Sequence, residues 1–593
     1  MLERIIARIG VFSLGSLLFA SSIFAPTSTE ALTADGFTFQ ISAGKATITG
    51  CESICSQNLA IPSSLSGRTV ASIAPKSFYN MGLTSLGLPG TLKTIGEAAF
   101  SKNSLTALTI PDSVISIGAS AFADNYLYSV ILPKRLPRIS PYTFSNNSLD
   151  ALTLPTTVSS IGESSFANNA IRSVTIPPSV LTLGKSAFEA NEITSLAIPP
   201  SVQSIGASAF AWNQIASLDL SASLATIGVS AFRHNFLTQL ELPSSISTLS
   251  DYAFSNNMLT NVTIPRSIKK IGQYSLATNQ LVSITIPSTM REIGDGAFSN
   301  NRLAGVTLPN GLRSIGQYAF WNNKIQNANI PNSVRTIGSH AFYKNQIEDV
   351  HIPSALVNIE DYAFGYNQIS NVEFSASVLT IGDFAFASNA LTTLDLPRKL
   401  TTVGTYAFSN NTLTSLVVPD SVKYIKRSAF AGNNIVSLKL PSKIAFIGDG
   451  AFEGNDLASV MIPSSLKSVG SYVFSNNQLV SVSIPNTIVS IGQFAFSDNA
   501  LEVLRLPKKL RSVGERAFSS NRLKEISIPA SVTTIGGRAF AENSLLTVYF
   551  SGRLPSAGIN PFSNNSSQLK IVVRPGASGW STSWFDIPVT IAE

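Results

Sequence analysis

The chain has 593 residues, carries a formal net charge of +7 and is only 13% charged. A surplus so mild and so dispersed offers no concentrated basic face, which excludes a nucleic-acid binder read from charge. A length that would ordinarily mean several domains is set aside here by a single unbroken period.

Residues 1–31 read as a secretory signal. Arg4 and Arg8 precede an apolar stretch from Ile9 to Phe24, and Ala25 and Ala31 both fit as cleavage points. An uncleaved anchor is the alternative, although the apolar run is short for a spanning helix. Residues 32–77 form an N-terminal cap. Within it, residues 36–49 predict a hairpin: Phe37, Phe39 and Ile41 alternate with polar residues, and Ala43-Gly44 marks the turn. That hairpin would cover the open end of a stacked array, which otherwise presents an unpaired edge. Cys51 and Cys55 are the only cysteines, and in an exported chain they predict a local disulfide. Two free thiols are the alternative. A metal site lacks nearby His and enough ligands.

Residues 78–550 repeat a 22-residue unit, seen at 103–124 as NSLTALTIPDSVISIGASAFAD. Stepping by 22 from Phe78 to Phe562 meets Phe every time except at Leu276, and stepping from Asn103 to Asn565 always meets Asn. A period of this size means a stacked solenoid. Leu108 and Ile110 alternate with polar residues, as in a short half-buried strand, and Pro111 ends it for want of a backbone donor. Val114 and Ile117 face inward on a return limb, where a second short strand and a 3₁₀ turn both fit, and Gly118 would allow a tight bend. The fold class is therefore a β-rich solenoid of about 22 stacked turns, one short parallel strand per turn, curved or gently superhelical and roughly 100 Å long at the usual strand spacing. Aligned Phe residues form its spine, and aligned Asn side chains bond backbone groups of adjacent turns. Residues 551–593 hold a last degenerate turn and a C-terminal cap, in which Trp580 and Trp584 should cover the final core layer. A carbohydrate platform is the sharper alternative.

The pattern L-x-x-L-x-I-P-x-S-V-x-x-I-G-x-x-A-F-x-x-N, shown well by LTSLVVPDSVKYIKRSAFAGN at 413–433 and LVSVSIPNTIVSIGQFAFSDN at 479–499, resembles the BspA-like, or Treponema pallidum-type, leucine-rich repeat. The resemblance covers about residues 59–565. It implies a leucine-rich-repeat solenoid and a secreted or surface-exposed binding protein, often adhesive, with no fixed ligand.

Departures from the pattern carry what information there is on binding. Ser140, Ser250 and Glu360 replace the repeat glycine five turns apart, each two residues before a Tyr, and 381–408 resembles 491–518. Growth by duplication of five-turn blocks accounts for both. Tyr142, Tyr252, Tyr274, Tyr318, Tyr362, Tyr406 and Tyr472 share one column with Phe384 and Phe494. Packing beside the spine explains it, and a half-exposed stripe is the alternative. A second aromatic set lies just before the Asn of its turn: Trp212, His234, Trp321, Tyr343 and Tyr366. The solenoid does not demand it, which makes these five the ligand-binding candidates, for a protein or a glycan. Thr109, Thr153, Thr175, Thr263, Thr285 and Thr307 share an outward strand column of the kind β-propensity alone provides. Residues 501–540 hold eight Lys and Arg against three Glu, a local surplus that could draw anionic polymers, a solvated outer face being the usual alternative.

No catalytic, cofactor-binding or metal-binding motif interrupts the array. His234, His340 and His351 belong to no ligand cluster, and no nucleophile elbow or phosphate loop occurs. The sequence thus predicts a non-enzymatic secreted or cell-surface protein that needs no cofactor and binds an extracellular protein or glycan, adhesion being the leading role. A structural envelope protein that self-associates is the alternative.

Overall fold

The computed structural model describes residues 31–592. The predicted signal segment lies outside these, apart from Ala31. Every regular element among the described residues is a β-strand.

The chain begins with β1 (Leu32–Ala34), β2 (Phe37–Ser42) and β3 (Lys45–Cys51), joined antiparallel in that order. Ser42 lies opposite Lys45, with Ala43 at φ 49° and Gly44 at φ 74°, the double left-handed turn that matches strand twist. Phe39 is fully buried, whereas Ile41 stands exposed beyond the core. β3 then pairs in parallel with Arg68–Ile73, and Phe37 meets the Phe78 ring edge-on at 6.3 Å. The hairpin therefore closes the first turn. Cys51 and Cys55 are disulfide-bonded beside it.

Each turn behind the cap has three limbs, and backbone hydrogen bonds along them join it to its neighbours. In the turn at 103–124 the outward limb is the strand Ala107–Thr109, paired in register with Ser129–Ile131. The return limb holds a second strand, Ser116–Ile117, paired with Thr94–Ile95, so the alternative of a 3₁₀ turn falls away. The third limb carries the Phe. There Ser120, Phe122 and Asp124 donate their N–H groups to the carbonyls of Pro141, Thr143 and Ser145 at 2.9–3.0 Å.

The repeat glycine works differently from the sequence expectation. Gly118 is not among the residues of positive φ; a Cβ there would sit 2.4 Å from Glu97 N and 2.6 Å from Gly96 C of the preceding turn. It permits close approach of successive turns, not a bend. The left-handed residues of this turn are Ser120 (φ 55°) and Asp124 (φ 57°), two before and two after the Phe. An L-residue there gives up roughly 1–2 kcal/mol. The conformation is what turns alternate N–H groups of that limb toward the next turn.

Phe rings stack along the axis with centroids 5.2–5.7 Å apart, within 16° of parallel and excluded from solvent. Each contributes about 1.5–3 kcal/mol by burial. The Asn column ties the same turns together. Asn125 Oδ1 accepts from Leu105 N at 3.1 Å, while its Nδ2 donates to the carbonyls of Phe100, Phe122 and Ala123. One amide thus serves backbone groups of two successive turns.

The return-limb sheet breaks every five turns. Arg138–Ile139 to Thr226–Ile227, Thr248–Leu249 to Thr336–Ile337, Asn358–Ile359 to Phe446–Ile447 and Ser468–Val469 to Ser556–Ala557 are four separate five-stranded sheets. The glycine-position N–H normally donates to the turn before, as Gly118 N does to Ile95 O at 2.8 Å; Ser140, Ser250, Glu360 and Gly470 lack that bond. Loss of the glycine is not the cause. Lys426 also replaces it, a departure the sequence reading passed over, and keeps the bond to Val403 O, whereas Gly470 loses it. The break recurs at the same five-turn spacing as the sequence departures.

At the far end, Glu525–Ile528, Thr547–Phe550, Lys570–Val573 and Ile587–Ile591 form a parallel sheet. Trp580 packs 4.6 Å from Phe550 and gives its indole N–H to Gly552 O, and Trp584 packs 6.0 Å from Phe562. Both rings cover the last layer.

Candidate binding surface

The left-handed residue two before each Phe carries its side chain beside the spine, and the turn spacing brings neighbouring rings into contact. Tyr318, His340, Tyr362, Phe384 and Tyr406 form one continuous half-buried stack, with centroids 4.6, 4.4, 4.5 and 4.8 Å apart. Three further rings lean on it edge-on. Trp321 meets Tyr318 at 6.0 Å, Tyr343 meets His340 and Tyr362 at 5.3 and 5.5 Å, and Tyr366 meets Tyr343 at 5.2 Å. At these turns the two aromatic columns, read separately in the sequence, join in one patch of eight rings.

The second column itself divides in two. Trp212, His234 and Tyr366 occupy the left-handed position directly before Asn, at φ 58°, 55° and 55°, whereas Trp321 and Tyr343 lie one residue earlier. Tyr366 is 48% exposed; Trp321 and Tyr343 are half-buried. Trp212 and His234 stand apart from the eight-ring patch, stacked on each other at 3.6 Å. Beside them Arg233 lies 5.3 Å from the Tyr252 ring, which stacks on Tyr274.

His340 is the residue that sequence reading missed, having been sought among metal and catalytic clusters. The signal was there: it lies 22 residues from both Tyr318 and Tyr362. Its Nδ1 is buried without a hydrogen-bond partner, and burial pushes its pKa below the usual range against the opposing pull of Asp361. The ring is a neutral member of the stack. Burial likewise raises Tyr343 and Tyr362, which stay as phenols. His234 is depressed to about 4, first by burial and then by Arg233.

The stacking also decides what the patch can grip. Sugar C–H groups seek the electron-rich face of a ring, and in the five-ring stack the inner faces are taken by neighbours. In that stack edges and phenol hydroxyls remain; Trp321, Tyr343 and Tyr366 lie outside it in edge-on contact, with the Lys344 amine 5.5 Å from Tyr343. The other features read from the sequence do not gather in this way. Arg505 lies on the outward limb, Lys508 and Lys509 follow Pro507, Arg511 begins the return limb and Arg516 sits over Phe494. The charges of 501–540 are therefore spread around the coil. The Thr column is exposed strand surface, interrupted at Asp219, Glu241, Lys439 and Arg505. No helix among the described residues is long and apolar enough to cross a membrane.

No curated protein matches the sequence. Among solved structures, a leucine rich cell surface protein from Faecalibacterium prausnitzii A2-165 is 24% identical over 59% of this chain and 96% of its own, with a TM-score of 0.40. The pneumococcal vaccine antigen PcpA is 16% identical over 92% and 98%, TM-score 0.22. The leucine rich repeat protein of T. pallidum is 18% identical over 46% and 89%, TM-score 0.16. The family model described as the BspA type leucine rich repeat region matches six times, at 71–193, 137–260, 182–304, 248–369, 335–458 and 445–570, so that the matches run without a gap from 71 to 570. With its 22-residue period, stacked Phe column and Asn ladder, the chain belongs to the BspA-type leucine-rich repeat family.

Proposed function

We propose that this protein acts outside the cell, secreted or held at the surface, as an adhesive binding protein, and that the aromatic patch around Trp321, Tyr343 and Tyr366 docks on a protein partner. One observation carries the reading: the core at these turns is already filled by Phe320, Phe342 and Phe364, all fully buried. The extra rings have no structural duty there. Contiguous half-exposed aromatics next to a lysine are the composition of an interface centre.

The test is a panel of purified extracellular proteins and glycans, probed with the wild-type chain and with Trp321→Ser/Tyr343→Ser/Tyr366→Ser. A protein ligand should be found, and the triple variant should bind it more weakly by on the order of 1–2 kcal/mol or more, with an unchanged circular dichroism spectrum. Undiminished binding would move the site elsewhere. Binding to none of the panel, together with concentration-dependent self-association, would favour the envelope-lattice role.

A further inference from the structure

Residues 266–335 hold eight Lys and Arg against only Glu292 and Asp295. Four of them share one column, just before the return strand: Lys269, Arg291, Arg313 and Arg335, at 22-residue steps. The backbone holds the arginines in line, Arg313 N donating to Arg291 O and Arg335 N to Arg313 O, both at 2.8 Å. Successive guanidinium stems are thus roughly 4.8 Å apart along the axis. The three arginines line a groove of about 340 Å³ with Gly311, Asn332, Ser333 and Ala355. All three are exposed, and none takes part in an ion pair among the described residues.

One arginine is held in place by an exception to the repeat. In several turns a hydroxyl after the Pro reaches the carbonyl 21 residues back, as Ser179 does to Val158 O and Ser333 to Leu312 O. Gly311 stands at that position and has no hydroxyl, and Arg291 Nη1 donates to the vacated Met290 O at 3.1 Å and to Ser288 O at 3.2 Å. The guanidinium lies where a Cβ on residue 311 would be, 2.4 Å from Nη1. Gly311 therefore makes room for Arg291, whose remaining N–H groups are free for the groove.

We infer that this groove binds a linear acidic polysaccharide, with Arg291, Arg313 and Arg335 reading a carboxylate or sulfate on successive sugars. Guanidinium forks suit both anions in a bidentate way. A row of cations at a repeat of one turn matches a polymer charged at every sugar, and Asn332 and Ser333 offer amide and hydroxyl groups to sugar hydroxyls. A single-stranded nucleic acid would want ring faces for its bases, and none lines the groove. The site stands apart from the aromatic patch, which lies on the Phe limb.

Binding is measured at about 0.1 M salt, where exposed charges farther apart than roughly 10 Å are largely screened. The probes are polygalacturonate for the carboxylate, heparin for the sulfate, neutral dextran, and oligo(dT). The wild-type chain should bind polygalacturonate or heparin and not dextran. Arg291→Gln/Arg313→Gln/Arg335→Gln should lose on the order of tenfold or more, as expected for charge-assisted bonds. Arg505→Gln/Lys508→Gln/Arg511→Gln, which removes the same charge elsewhere, should lose no more than about twofold. Gly311→Ser restores the hydroxyl, displaces the Arg291 head at constant net charge and should weaken binding several-fold. The Trp321→Ser/Tyr343→Ser/Tyr366→Ser protein should bind polysaccharide as the wild type does, so the two sites fail separately. Equal losses in both charge variants would reduce the effect to general attraction and overturn the assignment. So would no binding to either acidic polymer, or tighter binding to oligo(dT).

Discussion

Asn301 and Asn300 are adjacent residues of one type with unlike duties. Asn301 is buried, accepts from Leu281 N at 3.0 Å and donates to the carbonyls of Leu276, Phe298 and Ser299. Asn300 sits in the left-handed region at φ 53° and bonds only Asn322 through its side chain, at 2.8 Å. Asn301→Ala leaves buried donors and acceptors unpaired and should cost roughly 1–3 kcal/mol or more. Asn300→Gly, which keeps the backbone comfortable, should stay within about 0.5 kcal/mol. Comparable urea midpoints for the two would show that the ladder is not bonded as described. His234 gives a second test at this scale. The unfolded chain takes up its proton near pH 6.5 and the folded chain only near 4. The unfolded state thus binds more protons across that window, so this residue makes the fold less stable as pH falls from about 6.5 towards 4. An NMR titration should place the His234 midpoint near 4; a midpoint near 6.5 would mean that the imidazole is not covered by Trp212.

The turn as an element depends on close approach and on left-handed residues at different places. A Cβ on Gly206 would sit 2.5 Å from Gly184 C and Lys185 N, so Gly206→Ala should destabilise by roughly 1–3 kcal/mol through overpacking. Ser208, at φ 55°, is the strained residue of the same turn. Ser208→Gly relieves about 1–2 kcal/mol of strain and gives back about 0.5–1 in chain entropy, so its net effect should be small. Thermal denaturation of the two single variants checks the assignment, and the reverse order would restore the bend role that the glycine suggested from sequence.

Across the whole molecule, stability in a stacked array is a sum of turns and of the interfaces between them, and the return-limb ladder is interrupted once per five turns. Hydrogen exchange should record this directly. The amides of Ser140, Ser250, Glu360 and Gly470 should exchange faster than those of Gly162, Gly272, Gly382 and Gly492, which donate to Ile139, Leu249, Ile359 and Val469. Uniform protection along the column would show that the blocks are not separate units in solution. The Phe limb carries its ladder across all four breaks, as Ser120 N does to Pro141 O, Ser230 N to Asp251 O, His340 N to Asp361 O and Gly450 N to Ser471 O. The breaks should therefore loosen one face without dividing the solenoid.

The sequence by itself determined the period, the stacked Phe and Asn columns, the ending of most outward strands just before Pro and the family. These depend on identities repeated at a fixed step, and stacking converts such identities into contact with no further information. What the tertiary structure decided involves neighbours at distances other than one period. Gly118 could be seen as special, but only the position of Glu97 and Gly96 shows that it admits a neighbouring backbone. The return limb, two residues long, is too short for any periodicity to declare it a strand. His340 looked like an isolated titratable group until Tyr318 and Tyr362 closed on its two faces. Arg291 looked like one cation among many until the missing side chain of Gly311, in the next turn, let it reach two backbone carbonyls. Columns are legible in one dimension because the chain returns to the same place every 22 residues. Contacts between columns depend on the cross-section of the coil, and that is fixed only when all three limbs pack on one core.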